Sequence, residues 1–207
     1  MNPELVGIAI LAKAPLPGFA KTRLIPELGA AVAARIHREL TLRTLRTACD
    51  ASIGKVDLWC APDPQQSFFR AIARSRRFGD RVTLHCQADG DLGQRMAAVF
   101  AGARRPLLLV GTDCPAMTIG HLQHAMRALQ DGNDAVFIPA EDGGYALVGL
   151  CRPVAAIFDR IDWGSERVLA QTRERLSTQE LRWHELETLW DVDRPEDVER
   201  WREASRN

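Results

Sequence analysis

The stretch Leu107-Leu108-Leu109-Val110-Gly111-Thr112-Asp113-Cys114-Pro115 restricts the possible fold more than any other part of the chain. Four consecutive branched apolar residues suit a strand covered on both faces, as strands in a parallel sheet are. The run ends at a small-residue turn bearing one carboxylate, and Pro115 prevents its continuation. In open α/β sheets ligands sit beyond the carboxyl ends of the strands, so Asp113 is expected beside a crevice. A hard carboxylate there suits Mg2+ or Mn2+ holding phosphates. An Asx turn or a helix cap would use the same residue.

Strand-like and helix-like segments alternate along the rest of the chain. Val6 to Ala12, Val56 to Ala61, Val82 to Cys86 and Ala135 to Pro139 read as strands, and Tyr145 to Leu150 returns after the Gly143-Gly144 turn. Leu28 to Cys49 carries Val32, Ile36, Leu40 and Leu45 at helical spacing. Helices are also expected over Gln65 to Arg77, Leu92 to Ala103, Thr118 to Gln130 and Gly164 to Leu176. Arg182 to Leu189 reads as a late strand, and Pro195 as the first residue of a final helix. This alternation means a mostly parallel sheet wrapped by helices, an α/β architecture. No linker or repeat interrupts the 207 residues, so one domain over 1–207 is expected.

Composition excludes some functions. A formal net charge of zero gives no pull toward nucleic acid or a membrane surface. The apolar run from Leu5 to Ala12 is too short to span a bilayer. Five cysteines without a C-x-x-C pair point to reduced thiols in the cytoplasm rather than a zinc site. Cys114 has no histidine near it in sequence to activate it as a nucleophile.

The use of lysine is unusual. Of 27 Lys and Arg residues only Lys13, Lys21 and Lys55 are lysine, and two of them share the loop from Lys13 to Arg23. Lysine is a compact point charge suited to phosphate. Pro15, Pro17 and Gly18 stiffen that loop and let its backbone approach a ligand. Lys13, Lys21 and Arg23 repel one another unless an anion joins them, so a polyphosphate is the natural guest, although a solvated basic loop reads the same way. Neither G-x-x-x-x-G-K-[ST] nor G-x-G-x-x-G occurs here, which weighs against a Walker loop and a nicotinamide dehydrogenase. After the third strand, Gly90 and Gly93 leave room for a flat base, while Asp91 suits an N-cap. Asp142-Gly143 is a turn signal, with Glu141 and Tyr145 clustering polar groups around it. Asp191 and Asp193 stand two apart in an extended stretch and can face one side. Asp193 could equally cap the helix opening at Pro195.

Together these segments resemble the DUF2064 family of glycosyltransferase-like, radical-SAM- or selenodomain-associated transferases, within the nucleotide-diphospho-sugar transferases of GT-A fold. The residues carrying the resemblance are Pro17-Gly18 with Lys21-Thr22-Arg23-Leu24, Gly90-Asp91-Leu92-Gly93 with Arg95-Met96, Gly111-Thr112-Asp113-Cys114-Pro115, Asp142-Gly143-Gly144-Tyr145, and Asp191-Val192-Asp193 before Pro195-Glu196-Asp197. The layout is also similar to phospholactate guanylyltransferases and molybdopterin-cofactor nucleotidyltransferases. The resemblance implies a three-layer α/β/α sandwich. It implies a nucleotide near Ala12, Lys13, Pro17, Gly18, Lys21 and Arg23, and further along near Asp91, Gly93 and Thr112. Mg2+ or Mn2+ would lie on Asp113, Asp191 and Asp193, and a small acceptor near Glu141, Gly143, Gly144 and Tyr145. Lys21, Arg23, Asp113 and Asp142 are the expected catalytic residues. The chain lacks the usual D-x-D of glycosyltransferases, since Thr112-Asp113-Cys114 supplies one carboxylate, and it lacks an opening G-x-G-T-R run. The cationic first loop favours nucleotidyl transfer, because a leaving pyrophosphate needs charge there. Glycosyl transfer from a nucleotide-sugar and a non-catalytic nucleotide-binding role are the alternatives.

Overall fold

The computed structural model describes residues 6–204 and 206. Seven strands form one sheet: β1 (Gly7–Lys13), β2 (Val56–Ala61), β3 (Val82–Cys86), β4 (Leu107–Val110), β5 (Ala135–Pro139), β6 (Tyr145–Leu150) and β7 (Trp183–Glu185), in the order β3-β2-β1-β4-β6-β5-β7. Neighbours pair in parallel except around β6, which runs against both β4 and β5. The Gly143-Gly144 turn causes that exception, because it joins β5 to β6 directly and leaves no room for a crossover helix.

The apolar run of β4 is explained by what lies on either side of it. Leu108 and Val110 join Ile8 and Ile10 on one face, and Leu107 and Leu109 join Ala9 on the other, all at most 5% exposed. Burying each large side chain contributes about 1.5–3 kcal/mol. Helices α2 (Ala30–Asp50), α3 (Ser67–Arg74) and α5 (Ile119–Gln130) cover the first face, while α4 (Leu92–Ala101) and α6 (Val168–Thr178) cover the second. The result is a three-layer α/β/α sandwich with a mostly parallel sheet. Short α1 (Ile25–Leu28) and α7 (Pro195–Ala204) lie beside α2, where Val198 packs in one cluster with Leu24, Ile36 and Leu40.

Several boundaries differ from those read in the sequence. Gly29, at φ 78°, separates α1 from α2, so the helix expected from Leu28 begins at Ala30. Helix α6 starts at Val168, after turns over 163–167. The late strand has only three residues, with one further bridge between Ala140 and Leu189. Among the described residues no helix is long and apolar enough to cross a membrane.

Connectivity places the site. From β1 the chain moves outward to β2 and β3, then returns to lay β4 on the other side of β1. That reversal opens a crevice at the carboxyl ends of β1 and β4, the position where such sheets bind ligands.

Candidate active site at the end of the sheet

A cavity of about 500 Å3 lies over this crevice. Lys13 ends β1 at its edge, and Thr112 and Asp113 follow β4 into it. The C-terminal segment is fastened alongside, since the Val192 N–H donates to the Asp113 carbonyl at 2.8 Å. Val192 itself is fully buried in the cluster of Leu24, Ile36 and Leu40. Asp191 and Asp193, on either side of it, both line the cavity.

Lys21 is at the centre of the charge arrangement. Its Nζ lies 2.9 Å from Asp113 Oδ1 and 2.9 Å from Asp193 Oδ1, and its side chain is only 4% exposed. Arg23 Nη1 reaches Asp193 Oδ2 at 3.2 Å. Lys21 adopts the left-handed backbone, φ 52° and ψ 45°, which costs a residue with a Cβ about 1–2 kcal/mol. The two ion pairs offset that strain. Burial opposes the lysine's charge, yet Asp113 and Asp193 together hold its pKa above the ordinary value. Desolvation likewise works against the Asp113 carboxylate, but Lys21 and then His37 keep its pKa below the usual range. Asp191 goes the other way: burial, then Asp113 and Asp142, push it up to about 7. The crevice therefore holds more carboxylate charge than Lys21 neutralises.

His37 was not anticipated. It sits on α2, 4% exposed, with Nε2 at 3.0 Å from the Lys13 carbonyl. A carbonyl only accepts, so Nε2 carries the proton and Nδ1 keeps its lone pair. That Nδ1 is buried without a hydrogen-bond partner, 3.9 Å from Asp113 Oδ1. Burial lowers the pKa of the ring, against the opposing pull of Asp113. The only trace of His37 in the sequence is a histidine beside Ile36 on an amphipathic helix. Gln87 and Trp163 also line the cavity unannounced. The Gln87 amide nitrogen donates to the carbonyls of Ala12 (3.1 Å) and Trp59 (2.8 Å), tying together the ends of three strands.

The expected site residues divide into two groups. Lys13, Lys21, Arg23, Thr112, Asp113, Asp142, Gly144, Tyr145, Asp191 and Asp193 line the cavity. Ala12, Pro17, Gly18, Asp91, Gly93, Glu141 and Gly143 are not among its walls. Ala12 gives its carbonyl to Gln87. Pro17 and Gly18 belong to the exposed outer part of the loop. Asp91 caps α4 in a capping box with Gln94, at 2.8 and 2.9 Å. Glu141 pairs with Arg200 on α7 at 2.7 Å. Gly143, at φ 85°, has no room for a Cβ, which would lie 2.1 Å from the Glu166 carbonyl oxygen. Asp142 accepts the Gly144 N–H at 2.9 Å and stays beside the cavity. The Asp193 side chain makes ion pairs rather than a cap. Asp197 accepts the N–H groups of Asp193 and Arg194, leaving the Asp193 carboxylate to Lys21 and Arg23. Burial and then Asp191 push the Cys114 thiol up to about 12, away from the thiolate a nucleophile needs.

The donors suit a hard cation. Among the described residues no three carboxylate, thiol or imidazole groups form a ready metal cage. Mg2+ does not require one, because it is commonly held by one or two carboxylates, waters and substrate phosphates. Asp113 and Asp193 already share a cation, the Lys21 ammonium, and Asp191 is buried beside them with its pKa raised by that burial and then by Asp113 and Asp142.

A mostly parallel sheet of this order, with a charged crevice at its switch point, has the architecture of the nucleotide-diphospho-sugar transferases. The chain belongs to the DUF2064 family, described as uncharacterized proteins conserved in bacteria, which matches residues 44–165. One similar structure, from Desulfovibrio desulfuricans G20, is described as a nucleotide-diphospho-sugar transferase. It is 28% identical over 92% of this chain and 83% of its own, with a TM-score of 0.80. CMP:2-keto-3-deoxy-manno-octonic acid synthetase in complex with CTP is 12% identical, covering 97% of this chain and 98% of its own, with a TM-score of 0.62. Rv0371c of Mycobacterium tuberculosis H37Rv, in complex with manganese, is 18% identical over 97% and 99%, with a TM-score of 0.54. These last two share the fold. None of the curated proteins matches the chain.

Proposed function

We infer that the protein is a metal-dependent nucleotidyltransferase, in which an acceptor phosphate or hydroxyl attacks the α-phosphorus of a nucleoside triphosphate and pyrophosphate leaves. The observation that carries this reading is the position of Lys21. Its ammonium bridges Asp113 and Asp193 in a cavity that Lys13 and Arg23 also line. Three cations at one strand end match the charge that develops on a departing pyrophosphate. The CTP and manganese bound by the two fold neighbours are in keeping with it.

Asp113, Asp191 and Asp193 would hold Mg2+ or Mn2+, which supplies charge neutralisation on the phosphates when bound. Lys21 has a flexible four-carbon stem, so its ammonium can pass from carboxylate to phosphate oxygens without moving β1 or β4. Thr112, buried behind Asp113, donates to Asp113 Oδ1 at 3.4 Å and steadies it. Asp142 serves the acceptor, taking the proton of a hydroxyl as it attacks. Gly144 and Tyr145 border the acceptor, while Gly143 and Glu141 shape the turn behind them. The reduced thiols suit a cytoplasmic enzyme acting on a nucleotide and a small molecule.

Calorimetry with a panel of triphosphates and nucleotide-sugars in Mg2+ tests the reading, followed by an assay for released pyrophosphate. A triphosphate is expected to bind more tightly than any nucleotide-sugar at equal ionic strength and to lose more affinity as salt rises. The 28%-identical Desulfovibrio structure, described as a nucleotide-diphospho-sugar transferase, favours a second reading, glycosyl transfer with Asp142 as base, since Glu141 is held by Arg200 outside the cavity. Tighter binding of a nucleotide-sugar, with slow release of free sugar, would select it. Metal-dependent binding without turnover would leave a nucleotide-binding regulator.

A further inference from the structure

The aspartates and cations take up one part of the cavity, and the remainder is mostly apolar, with Gln87, Arg95 and Ser165 as its polar members. On the face covered by α4 and α6 its floor is Leu11 of β1, Leu109 of β4 and Val148 of β6. Leu109 pairs with Val148 on one side and with Ala9, two residues before Leu11, on the other, so this floor is continuous. Leu92 and Met96, a helical turn apart on α4, and the indole of Trp163 supply walls. Leu92 is 46% exposed, a large apolar side chain left open beside a cavity. Trp163 is seated by a missing side chain, because a Cβ on Gly93 would lie 2.7 Å from its Nε1 and 2.8 Å from the Phe158 carbonyl oxygen. Tyr145 packs edge-on against it, with ring centroids 6.4 Å apart.

The floor itself carries no polar side chain. The Tyr145 hydroxyl is buried, so the residue offers its ring. The Gln87 amide nitrogen serves two strand carbonyls and Arg95 Nε donates to the Gly90 carbonyl, so the polar groups left to a ligand are Gln87 Oε1, the Arg95 Nη groups and Ser165, none of them on the floor of Leu11, Leu109 and Val148. A sugar body or a nucleobase edge placed on this floor would lose its water contacts and gain no partner from those three side chains.

We propose that this part of the cavity binds the acceptor and that the acceptor is an apolar molecule: its hydroxyl meets Asp142, or its phosphate turns toward Lys21 and Arg23, its ring or hydrocarbon body rests on Leu11, Leu109 and Val148, and Trp163 sets the fit. The proposal rests on the nucleotidyl-transfer reading for the direction in which the acceptor points. Gly93 then serves specificity indirectly, by admitting the indole.

The test titrates the full chain, with Mg2+ and a non-hydrolysable triphosphate analogue present, with benzyl phosphate and with glucose 1-phosphate. Benzyl phosphate is expected to bind at least tenfold more tightly. Trp163→Ala and Leu92→Ser should each weaken it at least fivefold without changing the weaker glucose 1-phosphate binding. Leu92 is half exposed, so Leu92→Ser keeps its fold even should Trp163→Ala not. Glucose 1-phosphate binding as tightly as benzyl phosphate would overturn the proposal. Displacement of benzyl phosphate by the triphosphate would overturn it too, by giving the floor to the nucleobase. A chain that binds no triphosphate loses the nucleotidyl reading alone, provided benzyl phosphate still binds the nucleotide-free protein and Leu92→Ser still weakens it. No benzyl phosphate binding under either condition removes the apolar acceptor.

Discussion

Lys21 is held in a left-handed backbone by ion pairs to Asp113 and Asp193, and the same ammonium is assigned above to the triphosphate. The two sets of partners compete, so Lys21→Met should act in opposite directions on two ligands. Triphosphate affinity should fall about 10- to 100-fold, the worth of a charge-assisted contact, and monophosphate affinity much less. Binding of Mn2+ alone should tighten, because the carboxylates lose their resident cation; calorimetry reads both, and weaker Mn2+ binding would contradict the exchange. Asp191 makes a prediction in pH. Its carboxyl titrates at about 7 in the folded protein against an ordinary 3.8. Between those values the native state keeps a proton that the unfolded chain has released, so this group costs stability progressively as pH rises from about 4 to about 7. Asp113, lowered by Lys21, acts in the opposite sense: its stabilisation is complete above the ordinary carboxylate pKa and is lost as pH falls through its folded value. Asp191→Asn in metal-free buffer should therefore raise Tm by a few degrees at pH 8 and by less at pH 5. A larger gain at pH 5 would mean that Asp191 is not penalised for its charge.

Two turns show how single residues set elements beside the site. Asp91 and Gln94 form a reciprocal capping box, which satisfies N–H groups at the start of α4. Asp91→Ala should cost about 1 kcal/mol in denaturant unfolding. Because Asp91 does not line the cavity, triphosphate affinity should change less than threefold, and a tenfold loss would return it to the nucleotide. At the β5–β6 turn, Gly143 combines φ 85° with a carbonyl oxygen 2.1 Å from any Cβ. That oxygen belongs to the Glu166 backbone, which is also fastened nearby through the Leu169 N–H to the Gly143 carbonyl at 2.9 Å. Relief would need the turn itself to move, so Gly143→Ala should destabilise by at least about 2 kcal/mol. An unchanged denaturation midpoint would show that the turn can yield. At this scale the sequence located the turn from Asp-Gly and the cap from its Asp, since both are local chemistry. It did not locate the break at Gly29, because one glycine inside a helical pattern is tolerated elsewhere.

For the molecule as a whole, the proposed ligand should report itself through stability. A triphosphate with Mg2+ at about 100 times its Kd should add about 2.7 kcal/mol, which for a domain of this size is roughly 5–10 °C in Tm. EDTA should remove most of that gain, and a shift insensitive to chelation would separate the nucleotide from the metal. The strands, their order of appearance and the carboxylate after β4 could all be read without coordinates. Apolar runs and helical spacing are properties of contiguous residues, so local physics writes them directly into the chain. The basic loop and the acidic C-terminal pair were legible too, as residue types whose charge asks for a partner. Which partner each one meets was decided by the tertiary structure. Lys21 and Asp193 are 172 positions apart, and they meet because β4 returns to β1 and the Val192 N–H bonds the Asp113 carbonyl. His37 lies beneath Lys13 only because α2 packs on that face of the sheet, and Trp163 borders the cavity only because Gly93 makes room for it. Such contacts depend on how layers stack and on how closely two backbones can approach, and no local pattern in the chain carries that information.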